Sequence, residues 1–557
     1  MAKGKPQFWT GDVETGRGFS GKFLVGGVYD GKRYRAFKSQ DQFVRFVLGI
    51  NGTIFFHYLD FDIKTVMEWC IKHKVKHNTV PIMAAKRVIE WKIGNTVFRD
   101  SSVLMQMSLQ EVGESFGLKT RKLAMKNKFF TRADKKVMHY LRNDVVSLHE
   151  AMNAFYNFVG WEHFKKRTPA GIAMSKFREI DEQSYRRITE FPLYGDMDVF
   201  LQQAYFAGYY ATFANEISSD EPIYKIDINS YYAAAMRDNL FPWGNTVRLR
   251  NPEKIAAYAE DELGIVKARA FIPKGLTLGF LPRKTRDGVD YPTKGIIIGA
   301  WTTPEIVYAK KLGYEFEYLE AVFWQFKNKL FSRYIKQIGT IKERATGAKR
   351  AIAKQLLVSL YGKFAERRNV SVLRKKTKPL RGFHHYIDDA MTIYEDVRYV
   401  RKPYSHREIS IFTTAYARIL FYDFCESVGW KNVYAIIVDS AIIKGTMNKA
   451  FRKIWIDENE IGKFKIVSKI KKVIILGRGV YALKDEDGTE TIRNQGGLKE
   501  FNKLLTFADF EKVRNSKKET WKQYTGMKRQ NTVYAFLEGR SKLKGETRVS
   551  RRVTIRK

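Results

Sequence analysis

Residues 349–365 read Lys349-Arg350-Ala351-Ile352-Ala353-Lys354-Gln355-Leu356-Leu357-Val358-Ser359-Leu360-Tyr361-Gly362-Lys363-Phe364-Ala365. As a helix, this run sets Arg350, Lys354 and Tyr361 near one face, at spacings of four and seven. A cation on that face can grip phosphate, and an aromatic ring can stack near a base pair. Gly362 lets another backbone approach closely.

Upstream, Ile223-Tyr224-Lys225-Ile226-Asp227-Ile228-Asn229-Ser230-Tyr231-Tyr232 reads as a strand ending in a turn, and Ala233 to Met236 starts a helix. Ser230 is the expected helix N-cap. The N–H groups of that helix start suit a triphosphate, with Asp227 holding a metal beside it. An ordinary strand–turn–helix explains the apolar residues but not the Asp-Asn-Ser-x-Tyr cluster. Downstream, residues 433–445 read as two apolar strands about an Asp439-Ser440 turn. A carboxylate flanked by apolar strands is costly unless paired or metal-bound. The bland alternative is a hairpin with Asp439 exposed.

A second set of acids lies near the start. Asp12 and Glu14 flank Val13 on a predicted strand, so they share one face. Alone, acid-x-acid is a weak signal. Phe55 to Asp62 reads as an apolar strand ending in acid, and Tyr140 and Asp144 sit four apart on a predicted helix, Val137 to Phe158. Four such acids around two Mg²⁺ ions activate water for phosphodiester hydrolysis, with Tyr140 orienting the water. The bland alternative is a solvent-facing helix with a capping Asp.

Composition names the partner class. The 557 residues exceed one core, so two or more domains are expected. A hydrophobic fraction of 44% and an aromatic fraction of 14% suit packed globular domains rather than a disordered chain. The net charge is +40, from 99 basic and 59 acidic residues, which points to nucleic acid. Cys70 and Cys425 are the sole cysteines, too few for a zinc cluster, and fit a reducing cytoplasm. No run of about 18 apolar residues or signal-peptide core occurs, so no membrane is expected. Phe23 to Tyr29, the Asp30-Gly31 turn and Lys32 to Phe37 read as a hairpin. Gly26 to Lys32 has phosphate-loop spacing, but Arg33 replaces the Ser or Thr that would hold magnesium, and the hairpin explains both glycines. Basic Leu118 to Lys136 is read as a loop and helix start. Polar Lys165 to Glu190, with Pro169-Ala170-Gly171, is read as an interdomain link. Basic Arg540 to Lys557 reads as a solvated face that can also touch phosphates.

Together these motifs resemble protein-primed family B DNA polymerases, the type found in linear-genome phages, adenoviruses and linear plasmids. Asp-x-Glu, Phe-Asp and Tyr-x-x-x-Asp look like the three exonuclease motifs, which implies metal binding by Asp12, Glu14, Asp62 and Asp144. Asp60 competes for the second motif, and Phe61-Asp62-Ile63 matches it better. Asp227 to Tyr232 resembles the first polymerase motif, with Tyr231 and Ala233 replacing Leu and Pro; the resemblance sets Tyr232 under the incoming sugar. Lys354 to Gly362 resembles the second, with Val358 for Asn. Upstream, Lys342 matches a further phosphate-binding Lys. Asp439 matches the second Asp of Tyr-x-Asp-Thr-Asp-Ser, implying a metal bridge with Asp227, while Ile437 and Ala435 replace the first Asp and the Tyr.

Tyr205-Phe206-Ala207-Gly208 resembles the linker motif Tyr-x-Gly-Gly, and Gly479 to Tyr481 stands where Lys-x-Tyr is expected. The resemblance implies an α/β multidomain fold. An RNase H-like 3′–5′ exonuclease domain (1–170) precedes a right-hand polymerase domain (171–557) of palm, fingers and thumb, with terminal-protein regions near 247–331 and 367–404. It implies a DNA-directed DNA polymerase with proofreading, using two Mg²⁺ per site, with Mn²⁺ as an alternative. The implied partners are template and primer DNA, deoxynucleoside triphosphates and a terminal-protein primer. DNA contacts are expected at Tyr205, Gly208, Lys363 and Tyr481, and nucleotide contacts at Ser230, Tyr232, Lys342, Arg350, Lys354, Tyr361 and Gly362. Ile437, Val358 and Gly479 motivate an alternative: a degenerate polymerase that retains the exonuclease, or only a nucleic-acid-binding role. Asp423 and Asp457 are candidates to replace the acid missing at Ile437.

Overall fold

A computed structural model describes residues 5–16, 22–73, 75, 81–84, 87–120, 122–123, 130, 132–191, 197–213, 216–217, 221–286, 288–366, 368–375, 384–388, 391–400, 405–445, 447–477, 479–494, 505–516, 520–529 and 546–555. The first seven strands make one mixed sheet. Their spatial order is Tyr34–Phe37, Phe23–Tyr29, Phe8–Thr15, Gly52–Phe56, Thr96–Asp100, Arg87–Ile93 and Ile82–Ala84. The three central strands run parallel and the outer ones antiparallel. Helices Gln40–Leu48 and Leu59–Lys72 bury Phe43, Val47, Leu59 and Ile63 against Val13, Ile54 and Phe56. Helix Lys135–Val159 packs Val137, Tyr140, Leu141 and Val145 against Val25, and Thr10 donates to the Val145 carbonyl at 2.8 Å. The Phe23–Tyr29 hairpin explains its glycines by packing. A Cβ on Gly26 would lie 2.5 Å from Phe43, and one on Gly27 would lie 3.0 Å from Leu141.

The central sheet of the C-terminal unit is antiparallel. Its order is Glu490–Asn494, Val480–Asp485, Phe464–Gly477, Ile223–Ile228, Ser440–Lys444, Val433–Ile437 and Tyr210–Thr212, with Glu216–Ile217 beside Phe464–Gly477. Helices Tyr231–Asp238 and Arg407–Val428 cross it, fastened by Tyr231 Oη donating to the Ala417 carbonyl at 2.6 Å. That bond gives the Tyr at position 231 a structural reason. Helices Ser332–Arg344 and Gly347–Phe364 pack together beside the sheet. Strands Phe241–Leu249, Glu315–Asn328, Gly264–Ile272 and Gly295–Thr302 form a separate four-stranded sheet, and Arg368–Lys375, Met391–Val400 and His384–Asp388 form a three-stranded one.

Some sequence expectations change. Lys165 to Glu190 is two helices, Pro169–Ile180 and Glu182–Thr189, rather than a polar link. Pro169 sits in the first turn, where its missing N–H costs nothing, and Thr168 caps Gly171 N at 3.2 Å. Ile172, Met174 and Phe177 are buried, with Phe177 against Phe331, Tyr334 and Phe364. The strand before Asp60 stops at Phe56, so both acids open a helix instead of ending a strand. Parts of Leu118 to Lys136 lie outside the described residues, as do 540–545 and 556–557 at the basic end. Glu546–Ile555 pairs with Thr520–Arg529 as an antiparallel hairpin. Among the described residues, no helix is long and apolar enough to cross a membrane.

One buried ion pair fixes the approach to the central sheet. Arg418 and Glu305 are wholly buried and meet at 2.6 Å. Arg418 also donates to the Phe206 and Ala207 carbonyls at 3.1 and 2.9 Å, while Glu305 accepts from Thr302 N and Oγ1. Removing one partner strands a buried charge. Glu305→Ala is expected to cost about 3–5 kcal/mol, read from urea unfolding; a loss below about 1 kcal/mol contradicts this assignment.

Candidate active sites

In the N-terminal unit, Asp12 and Glu14 project from one face of Phe8–Thr15 and meet Asp144 from the helix behind. Their ligand oxygens all lie within 4.8 Å of one another. Asp62 lies against this trio rather than within it. It is buried, and its Oδ1 accepts from Val13 N at 2.8 Å. Asp60 turns elsewhere, accepting from Val88 N at 2.8 Å and facing Arg87. The helical turn between the two acids therefore brings Asp62, not Asp60, to the cluster.

The electrostatics are those of crowded anions. Burial, then Asp144, pushes Asp12 up to about 7, against the pull of Lys122. Burial, then Asp12, pushes Asp62 well up. Tyr140, one turn before Asp144, is buried, and burial followed by Asp144 raises its phenol. Sequence reasoning missed Lys122. Its Nζ lies 2.8 Å from Asp144 Oδ2 and 5.8 Å from the Tyr140 ring centroid. Burial draws the amine down, but Asp144's charge and hydrogen bond reverse this, and the amine ends raised. A lone Lys in a basic stretch gives no signal in sequence; only the fold brings it to Asp144.

In the central sheet, Asp227 stands opposite Ser440 on one side and Lys465 on the other. Ile228 N donates to the Asp439 carbonyl at 2.8 Å, so the two aspartates lie at adjoining strand ends. Val438 holds φ 61°, a left-handed conformation strained for a β-branched residue, while its N–H donates to Tyr209 O at 2.8 Å. Burial, then Asp227, raises the Asp439 carboxyl; Lys354 and Lys465 oppose this. Lys354 thus reaches across from helix Gly347–Phe364.

Lys342 lies among other cations, Arg350, Lys354 and Lys465. Lys342 is buried and donates to Ser230 Oγ at 3.2 Å; burial, then Arg350 and Lys354, draws its amine down. Ser230 occupies the expected cap position, but in a left-handed conformation with no capping bond, because its hydroxyl faces Lys342. Arg350 donates to Lys342 O at 3.1 Å and Asn459 Oδ1 at 3.0 Å. The rings of Tyr232 and Tyr361 lie 4.3 Å apart. Gly362 has open space where a Cβ would stand, and Lys363 pairs with Glu366 at 2.6 Å. A Cβ on Gly208 would lie 3.1 Å from Val438 and 3.5 Å from the Tyr232 hydroxyl, so the segment after half-buried Tyr205 runs tightly past the turn.

Other expectations fail on packing. Tyr481 is buried with Ile223, Ile442 and Ile470, its hydroxyl directed at Arg493, so its ring offers no groove surface. Gly479 holds φ 69° and its N–H bonds Tyr210 Oη, so the turn favours glycine where Lys is expected. Arg478 lies outside the described residues. Ile437 packs on that same apolar cluster, and half-buried Val358 follows Lys354 by one turn. Neither acid replaces the one missing at Ile437: Asp423 accepts from Tyr308 Oη at 2.6 Å, and Asp457 accepts from Asn459 N and Glu460 N at 2.7 Å each.

With this geometry in place, comparison with known proteins is specific. Residues 125–428 match the family "DNA polymerase type B, organellar and viral". The chain is 26% identical over 440 residues to a probable DNA polymerase of Agaricus bitorquis, covering 69% of this chain and 52% of that protein. It is 22% identical over 511 residues to the DNA polymerase of Bacillus phage phi29, covering 83% and 84%. The solved phi29 enzyme, complexed with primer-template DNA and incoming nucleotides, aligns over 99% of both chains with a TM-score of 0.79 at 18% identity. That likeness establishes a multidomain α/β fold shared with the phi29 enzyme along the whole chain.

The raised Asp12 carboxyl has a consequence for stability. Its folded value is about 7, against 3.8 in an open chain. Between these values the folded, metal-free protein holds a proton that the unfolded chain has lost. Asp12's contribution to stability therefore falls as pH rises through that window. Thermal unfolding in chelator from pH 5 to 8 is expected to show Asp12→Asn gaining on wild type as pH rises. A constant difference contradicts the raised value.

Proposed function

Because the chain belongs to the type B DNA polymerases of organelles and viruses, we propose that it replicates linear DNA from a protein primer and proofreads its product. The carrying observation is the hydrogen-bonded junction of Asp227 and Asp439, with Lys354 and Lys465 opposing their negative charge. Polymerisation belongs to this site and 3′–5′ excision to Asp12, Glu14, Asp62 and Asp144. The domain limits are 1–170 for the exonuclease and 171–557 for the polymerase, and the host cytoplasm is the setting.

Both clusters suit hard divalent cations, because crowded carboxylates repel one another and are relieved by a metal. Asp227 and Asp439 would hold two Mg²⁺ at one site, and the four N-terminal acids would hold two at the other; Mn²⁺ fits the same donors. When bound, such ions lower the pKa of the attacking hydroxyl or water and stabilise the leaving oxygen. The chain's own groups do the rest. Lys342, Arg350 and Lys354 receive the triphosphate, with Ser230 positioning the Lys342 amine. Tyr232 supports the sugar, where a 2′-hydroxyl would crowd its ring. Tyr361 stacks near the nascent base pair, with open space at Gly362. Tyr205, Gly208 and Lys363 line the path of DNA. Tyr140 orients the hydrolytic water, and Lys122 offsets the charge of Asp144.

The separate sheets within 247–331 and 367–404 are the surfaces for the terminal protein, whose hydroxyl starts synthesis. A net charge of +40 supplies the salt-dependent hold on template and primer. Ile437 on an apolar cluster favours one competing reading, a decayed polymerase that keeps the nuclease.

The test is Mg²⁺-dependent extension of a primed template. Wild type extends, and Asp439→Ala lowers the rate by on the order of 1,000-fold or more. Asp12→Ala keeps extension and loses 3′ degradation. Degradation without extension by wild type supports the decayed reading, while extension that survives Asp439→Ala refutes the site.

A further inference from the structure

A third cluster lies far from any motif read in the sequence. Trp161–His163 forms one 3-10 turn between helices Lys135–Val159 and Pro169–Ile180. His163 is 1% exposed, yet among the described residues neither ring nitrogen has a hydrogen bond of good geometry. Two carboxylates converge on its Nε2, Glu162 Oε1 at 3.1 Å and Glu179 Oε2 at 3.3 Å. All three ligand atoms lie within 4.8 Å of one another.

The local backbone makes room for this arrangement. Gly160 holds φ 107°, and a Cβ there would lie 1.8 Å from Glu162 Oε1. Any other residue would displace the carboxylate from His163. Both glutamates are half exposed, so an ion has a route in. A tetrahedral centre with bonds near 2.0 Å separates its ligand atoms by roughly 3.3 Å, close to the spacing found here.

We propose that Glu162, His163 Nε2 and Glu179 bind one divalent transition ion of the Zn²⁺ type, separately from both carboxylate sites. The nitrogen donor selects such an ion over Mg²⁺. Water takes the fourth position. The ion staples the turn that follows the helix of Tyr140 and Asp144 to helix Pro169–Ile180. That helix packs through Phe177 on Phe364, in the helix of Lys354 and Tyr361. The staple therefore braces the two catalytic units against each other and supplies no chemistry to either.

The experiment is Zn²⁺ titration of the full chain in excess Mg²⁺, comparing wild type with Glu162→Gln and Glu179→Gln. Both substitutions fall on half-exposed side chains. Wild type is expected to take up one tight equivalent, and each variant to bind it on the order of tenfold or more weakly. Equal affinity in folded variants overturns the proposal. Anomalous diffraction at the zinc edge from soaked wild-type crystals decides independently of any variant. A peak in bonding contact with His163 Nε2 supports the site, and zinc found only elsewhere overturns it.

Discussion

The hydrogen bond from Ile228 N to the Asp439 carbonyl, 2.8 Å long, joins the ends of two strands and leaves two aspartates side by side. Neighbouring carboxylates repel, and the surrounding protein strengthens the repulsion. The fold holds them by covering the main chain. Asp227 is paired on both sides, Val438 is bound by Tyr209, and Gly208 passes too close for a side chain. The strain at Val438 is tolerated because each of these contacts fixes the same turn. Arg418 extends the scaffold outward by gripping the carbonyls of Phe206 and Ala207 from a buried pair with Glu305.

The N-terminal unit meets the same constraint differently. Its acids come from a strand and two helices, and Val13 N fixes Asp62 from behind. Lys122 offsets Asp144. Asp12 still keeps its proton to about 7. In the central sheet the opposing cations come from a helix, through Lys354, and from the next strand, through Lys465. One cluster is suited to metal and water, the other to metal and a polyanion.

Much of this was legible in sequence. Asp12 and Glu14, Tyr140 and Asp144, and the strands around Asp227 and Asp439 all follow local periodicity, which the fold preserves. Misreadings arose where tertiary contacts decide. Lys165 to Glu190 looks polar because its helices expose charge, while a few residues such as Ile172 and Phe177 carry the burial. Ser230 resembles a cap, but Lys342, 112 residues away, takes its hydroxyl. Lys122 and the Glu162, His163, Glu179 trio carry no spacing signal, since distant turns assemble them. Tyr481, expected to touch DNA, is instead enclosed by the sheet. Ile437 was legible as a departure, and in the fold it packs on an apolar cluster.

The central claim is that Asp227 and Asp439 jointly hold metal beneath a triphosphate gripped by Lys342, Arg350 and Lys354. A crystal structure with Mn²⁺ and a non-hydrolysable deoxynucleoside triphosphate tests it most directly, because manganese is located by its anomalous signal. The account predicts manganese bonded to both aspartates, with the triphosphate oxygens against the three cations. Manganese that touches only one aspartate, or a triphosphate seated away from Lys354, would contradict it.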